Sequence, residues 1–493
     1  VIDLSENNVI QEPALFHNIR VARTISSKLA TTLGPKGMDK MLIAANKSKM
    51  ITNDGATIIQ NMQIEHPIGE MLTQIARTQD EEVGDGTTTS IVLTGFLLEG
   101  ALMLMEKGIH PQKIIEGYET ATKKAKEYYA DISEPYNNIE QLIRTTLTGK
   151  IANEGSTIET LAEALSDKPD KDSVKILKIK GNKGLYFVNG FIIDKEIINQ
   201  DMPKNGKDVK ILLLDKNMEV RQTDANTQIN INNSKEFEEM LSVNEKLCKN
   251  IIKDIAGKGV NLILTTGVVN EFIEHYATAS GIAIIKRVKN DDMDLIANVT
   301  GANIVSTFNF TKNDLGVCDY STSEEYGEEY VTISSDSNIR TIVIRGSNDT
   351  TLDEMERCIT DSIKVIDAIR KDNMVVYGGG SCELSVANKL REFSLEYEDM
   401  TQLIIDSYAN TLEAIPIQLA RSSGSNDLRL FVEARSKNKN NYKIGIGVMT
   451  GKAEDMKKLG VIEPLRIKTQ ALQSAMEVCK SILRVDDMLI ARV

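Results

Sequence analysis

Cysteine is sparse, and no two cysteines form a C-x-x-C pair. The five stand far apart at Cys248, Cys318, Cys358, Cys382 and Cys479. An odd number at wide spacing argues against a disulfide framework and for a reducing compartment, so a cytoplasmic location is expected. The four histidines, His17, His66, His110 and His275, form no ligand cluster and read as surface or packing residues. No apolar run reaches the ~18 residues of a membrane span, so no membrane partner is expected. Residues 1–6 carry neither a basic region nor an apolar core, so no signal peptide is expected there. Positive charge is also short. The net charge of −13 suits nucleic acid poorly, because a phosphate backbone demands a basic stripe; no nucleic-acid partner is expected. The short basic run 435–441 reads as a solvated loop with turn-forming asparagines, a phosphate-binding role being the alternative. No Lys-Ser/Thr closes a Walker A loop, which argues against a P-loop kinase.

What is present is a globular composition, 41% hydrophobic and 26% charged over 493 residues. That length calls for about three domains. Helical spacing of Leu15, Ile19, Ala22, Ile25 and Leu29 predicts an amphipathic helix over 14–32, broken by Pro35 and Gly37. Further helices are expected over 69–82, 88–107 and 111–131, with Gly108 suited to a C-terminal cap. The middle changes character. Apolar runs at 209–214 and 260–265 read as buried strands and alternate with helical stretches such as 270–280, an α/β pattern. A charged helical stretch covers 233–258, and long helices return from about Gly378.

The segment Gly84-Asp85-Gly86-Thr87-Thr88-Thr89 leads straight into the apolar stretch 90–98. Glycines permit a tight turn and close approach to a ligand. Threonines at a helix start leave N–H groups directed outward, where phosphate binds. Asp85 is then placed to hold a hard cation such as Mg²⁺, which takes one or two carboxylates plus phosphate oxygens. The segment reads either as a Mg-nucleotide site or as plain punctuation before a helix.

Three further segments bear on that choice: Leu33-Gly34-Pro35-Lys36-Gly37-Met38-Asp39-Lys40, Ile51-Thr52-Asn53-Asp54-Gly55-Ala56-Thr57-Ile58 and Val375-Val376-Tyr377-Gly378-Gly379-Gly380-Ser381. Together with the first they resemble the nucleotide-binding face of the chaperonins. The C-terminal run from Gly460 through Glu463 to Ala471, and Ile482-Leu483-Arg484-Val485-Asp486-Asp487, are group II in character, the archaeal thermosome and eukaryotic cytosolic branch. The resemblance spans almost the whole chain in the family's order.

The resemblance implies an α+β multidomain fold. A helical equatorial domain would be built from both termini (1–135 and 375–493). A small intermediate domain would be crossed twice (136–190 and 343–374). An α/β apical domain (191–342) would carry a helical protrusion at about 222–256, a built-in lid. It also implies ATP and Mg²⁺ as cofactors. Leu33, Gly34 and Pro35 would lie along the phosphates with Gly55, Gly86, Thr87, Thr88 and Thr89, and Asp85 would hold the metal. Asp54 and Asp361 would be the catalytic carboxylates, Asp361 on a helix that must swing down to complete the site. Gly379 would approach the nucleotide, Glu463 would bond the ribose, and Lys150 would belong to a nucleotide-sensing loop. Each aspartate also has a plain reading, Asp54 as a turn cap and Asp361 as a solvent-facing helix residue.

The implied activity is ATP-driven folding of non-native protein clients inside a homo- or hetero-oligomeric double ring, with hydrolysis closing the lid. The alternative is a structural or regulatory ring subunit that binds ATP and hydrolyses it weakly. It is motivated by 421–426, Arg-Ser-Ser-Gly-Ser-Asn, where the family shows an Asn-Ala-Gly-like turn on the adenine side. The short apolar segments at 49–51 and 488–491 would pair between neighbouring subunits, removing exposed edges.

Overall fold

The computed structural model describes residues 13–487 except segments 44–48, 153–154, 167–172, 220–233, 326–327, 336–338 and 425–426 and positions 63, 137, 151 and 183. Contacts divide the chain into two compact units. One joins the residues up to Ala162 with those from Asp353 onward; the other is Glu163–Leu352.

The first unit is a helical core with short strands at its margin. Its central helix, Thr87–Glu106, packs against helices Ala14–Ala30, Pro67–Val83, Met400–Leu412 and Leu465–Leu483. Among the described residues it is the one helix long and apolar enough to cross a membrane, and 56% of its most apolar stretch is buried. Helix Ala14–Ala30 buries Ile19, Ala22, Ile25 and Leu29, the stripe expected from their spacing. Helix Pro67–Val83 begins with proline at its first turn, and His66 Nδ1 accepts from Ile68 N at 3.3 Å. It stops at Gly84. Helix Pro111–Asp131 follows the same proline-first pattern. Each of these helices lies within two residues of its expected bounds.

The basic run 435–441 is not a loop throughout. Helix Asp427–Asn438 continues through Arg435 and Lys437. Tertiary bonds override the turn preference of asparagine there. Arg435 Nε reaches Glu413 Oε1 at 2.9 Å, and the buried Asn438 donates to Ser381 O at 3.0 Å and Ile444 O at 2.8 Å. Strand Met374–Tyr377 pairs antiparallel with Ile462–Pro464 and with Glu134–Pro135, so three distant segments share one small sheet. Strands Lys40–Ile43 and Lys49–Thr52 form a hairpin whose Met41, Ile43, Met50 and Ile51 are exposed. The other segment expected to pair between subunits, 488–491, lies outside the described residues.

The second unit has a mixed seven-stranded sheet. Asn205–Leu214, Leu262–Thr265 and Ala283–Ile285 run parallel, with Ile304–Val305 beside the first. Gly316–Glu325, Glu328–Ser334 and Phe191–Ile193 extend it antiparallel. The parallel strands are buried on both faces, which explains their unbroken apolar runs. The first strand starts at Asn205, not at 209. Asn205 and Gly206 pair with Ser321 and Tyr320, so a backbone partner extends it past its apolar part. Helices Ser234–Gly257, Glu271–Ala279 and Asn290–Thr300 accompany this sheet. Part of the expected protrusion, 220–233, and most of the polar stretch at 166–173 lie outside the described residues. The arrangement is an α+β multidomain fold.

Candidate functional site

The first unit encloses a cavity of about 440 Å³, within the range of small-molecule sites. Segments from both ends of the chain build its wall. The turn after helix Ala14–Ala30 supplies Leu33, Gly34 and Pro35, the turn before helix Gly55–Asn61 supplies Asp54, and Gly84–Thr89 supplies Asp85. Lys150, Asp361, Gly379 and Glu463 complete the set. Every expected site residue except Gly55 lines this one space. Gly55 sits directly behind the wall, where a Cβ would stand 2.4 Å from Thr88 Oγ1.

The turn geometry follows from residue type. Gly34 has φ +85° and a Cβ there would stand 2.5 Å from Leu419 Cδ2, so only glycine fits without strain. Gly86 has φ +78° and is the N-cap of helix Thr87–Glu106, with no side-chain cap. The first N–H groups of that helix have no intrahelical partner by construction. They open toward the cavity with Thr87, Thr88 and Thr89 on its wall. An uncapped N-terminus of a twenty-residue helix is an anion site.

Three aspartates face this end. Asp85 Oδ1 accepts from Gly86 N at 2.6 Å, leaving its second oxygen for a cation. Asp54 caps helix Gly55–Asn61, its Oδ2 accepting from Thr57 N at 2.8 Å and Thr57 Oγ1 at 2.6 Å. The plain reading of Asp54 as a cap is therefore correct, and the cap also lines the cavity. Asp361 is not solvent-facing. Its side chain is 8% exposed, and its Oδ2 accepts from Lys150 Nζ at 2.7 Å. Burial pushes the Asp361 carboxyl up to about 6 against the pull of Lys150. For Lys150, burial works against the charge, yet Asp361 and Asp85 outweigh it and hold the ammonium above its usual value. Asp54 is held below the usual carboxylate range, since Arg357 and the Thr57 bonds overcome its burial.

Glu463 is tied into the wall by Lys468, whose Nζ lies 2.6 Å from Glu463 Oε2 and 2.9 Å from Glu383 Oε1. Gly379 O accepts from Ile446 N at 2.7 Å, which brings the hairpin of Ile444–Gly447 and Lys452–Asp455 onto the cavity. The rest of the wall is largely apolar: Ile415, Leu419, Val448, Met449, Met456 and Leu459. The turn at 421–426 is off the wall. Lys36 Nζ donates to Ser423 O at 3.2 Å, and Ser425 and Asn426 lie outside the described residues. Sequence reasoning missed Lys468, Arg357 and the hairpin. Arg357 was within reach, being four residues before Asp361 and so on the same helical face.

No group of three ligating side chains stands close enough to hold a metal among the described residues. A Mg²⁺ carried by phosphates needs only one or two carboxylates, so Asp85 beside an uncapped helix N-terminus fits such a group.

The TCP-1/cpn60 chaperonin family matches residues 25–493. A thermosome subunit of Methanopyrus kandleri is 36% identical over 96% of this chain and 91% of its own length. Thermosome subunit alpha of Aeropyrum pernix is 37% identical over 97% and 91%, and thermosome subunit beta of Thermoplasma acidophilum 35% over 97% and 92%. With a match over nearly its whole length and relatives of this identity, the chain belongs to the TCP-1/cpn60 chaperonin family, on its group II branch.

Proposed function

We propose that this chaperonin subunit hydrolyses ATP in the cavity of its first unit and uses the cycle to enclose and fold non-native proteins. The observation that carries this reading is the meeting of an uncapped helix N-terminus with Asp54, Asp85 and Asp361 on one cavity wall. The N–H groups and hydroxyls of Thr87–Thr89 would bind phosphate oxygens, with the backbone of Leu33–Pro35 alongside. Glu463 would accept from the ribose hydroxyls. Mg²⁺, when bound at Asp85, supplies charge neutralisation on the phosphates. Asp54 and Asp361 each keep one carboxylate oxygen free of any bond from the described residues. Such oxygens orient a water and take its proton as it attacks the terminal phosphorus and ADP leaves. The raised Asp361 carboxyl is closer to neutral pH than a free aspartate, which suits proton acceptance.

Under this reading the protein works in the cytoplasm within a double ring of related subunits. The five-segment domain plan applies, and 222–256 forms the lid. The alternative, a ring member with weak hydrolysis, is favoured by the altered turn at 421–426. The deciding experiment is ATP turnover by the purified chain and by Asp361→Ala, with particle size from sedimentation of the same samples. Retained size with a loss of turnover of about 10²-fold or more in the variant is expected. A large particle with negligible wild-type turnover would establish the alternative.

A further inference from the structure

Asp54 is held by one oxygen. Besides its two bonds from Thr57, Oδ2 stands 3.1 Å from Arg357 Nη1, whereas Oδ1 takes no hydrogen bond from the described residues. Arg357 is itself clamped. Its Nε donates to Glu354 Oε2 at 3.2 Å, and Nη2 bonds Glu354 Oε1, one helical turn earlier. Its side chain is 20% exposed. It lies on the same helix as Asp361 and one turn before it, so both fall on one face. One helix therefore supplies the second carboxylate of the site and the cation that grips the first.

We propose that Arg357 is a positioning residue for hydrolysis. By occupying Oδ2 of Asp54 it reserves Oδ1 for the attacking water, and by bridging two helices it sets the separation of Asp54 and Asp361. A planar guanidinium suits this task, because its fork holds Glu354 and Asp54 at once in fixed directions, which a lysine ammonium cannot do. The grip also makes the pairing of Asp54 and Asp361 depend on where that helix stands. A movement that carries Asp361 away breaks the hold on Asp54 as well, and both carboxylates leave register together. This inference rests on the reading of the cavity as an ATPase site.

The test uses the full chain with Arg357→Gln, Arg357→Lys and Glu354→Gln. Steady-state turnover is measured beside binding of a non-hydrolysable ATP analogue. Arg357→Gln is expected to lower kcat about 30-fold or more, with KM and analogue affinity within about twofold of wild type. Arg357→Lys keeps the charge without the fork and should recover part of the loss. Glu354→Gln removes one side of the clamp and should show a smaller loss of the same kind. If Arg357→Gln does not fold, Arg357→Lys carries the test through the same split between kcat and KM. Wild-type kcat in Arg357→Gln overturns the proposal. So does a variant whose analogue affinity falls as much as its kcat, since that marks ground-state binding. An inactive wild type would sink the ATPase reading itself, and this inference with it, before any variant is compared.

Discussion

Lys468 is the cation on which the inner wall of the cavity depends. Its side chain is 7% exposed and lies between Glu383, 2% exposed, and Glu463. Cys382 Sγ donates to the other Glu383 oxygen at 3.0 Å. The Lys468→Met substitution keeps most of the volume and removes the charge, leaving two carboxylates facing each other with little water. Removing one partner of a buried pair costs about 3–5 kcal/mol. The sign with pH follows from the shifts. In wild type Lys468 outweighs burial and holds Glu383 below its usual range. Its stabilisation is therefore present above the unfolded value of about 4.3 and fades as pH falls. Without the lysine, burial and Glu463 drive Glu383 the other way, so the variant is worst near neutral pH and is relieved by protonation toward pH ~5. Urea unfolding followed by helical circular dichroism, at pH ~7.5 and pH ~5, reads both effects. Lys468→Met with Glu383→Gln should regain at least half of the loss near neutral pH. A neutral-pH cost under ~1 kcal/mol, or a cost that does not change with pH, refutes the argument.

Gly34→Ala is expected to weaken nucleotide binding, because φ +85° and the 2.5 Å approach to Leu419 Cδ2 force the turn to shift. Strain of about 1–3 kcal/mol predicts roughly 5- to 100-fold lower affinity, read by nucleotide titration. Glu134 takes four bonds, from Tyr377, Tyr442, Lys443 and Lys457, at 2.7 to 2.8 Å. Burial opposes its charge, but the two lysines and two tyrosines hold its carboxyl far below the usual range. Glu134→Gln should therefore cost about 1–3 kcal/mol at neutral pH, and the gap should close as pH drops below about 4; urea midpoints against pH test this.

The helices of the first unit were legible because each carries its own instructions. Proline at the first turn, glycine at the end and an apolar stripe at 3.6-residue spacing act within one segment. The parallel strands were legible from their unbroken apolar runs, but the start of Asn205–Leu214 was not, since a partner over a hundred residues away extends it. Asn438 shows the same limit. Asparagine favours a turn by itself, and bonds to Ser381 and Ile444 keep it helical.

For the site, the glycine turns and the Thr87-Thr88-Thr89 run could be read from spacing, because phosphate recognition here uses backbone N–H groups whose exposure depends on local conformation. The family resemblance placed the carboxylates. From sequence alone it was therefore determined which segments turn, which stripes are buried, and which short motifs suit a phosphate-bearing ligand. Only the tertiary structure decided that Asp361 is buried against Lys150, that Arg357 grips Asp54, and that Lys468 joins Glu383 to Glu463. Charge pairing falls off over a few ångströms and takes no account of distance along the chain. Such partners exist only once the core has brought the two ends of the sequence together.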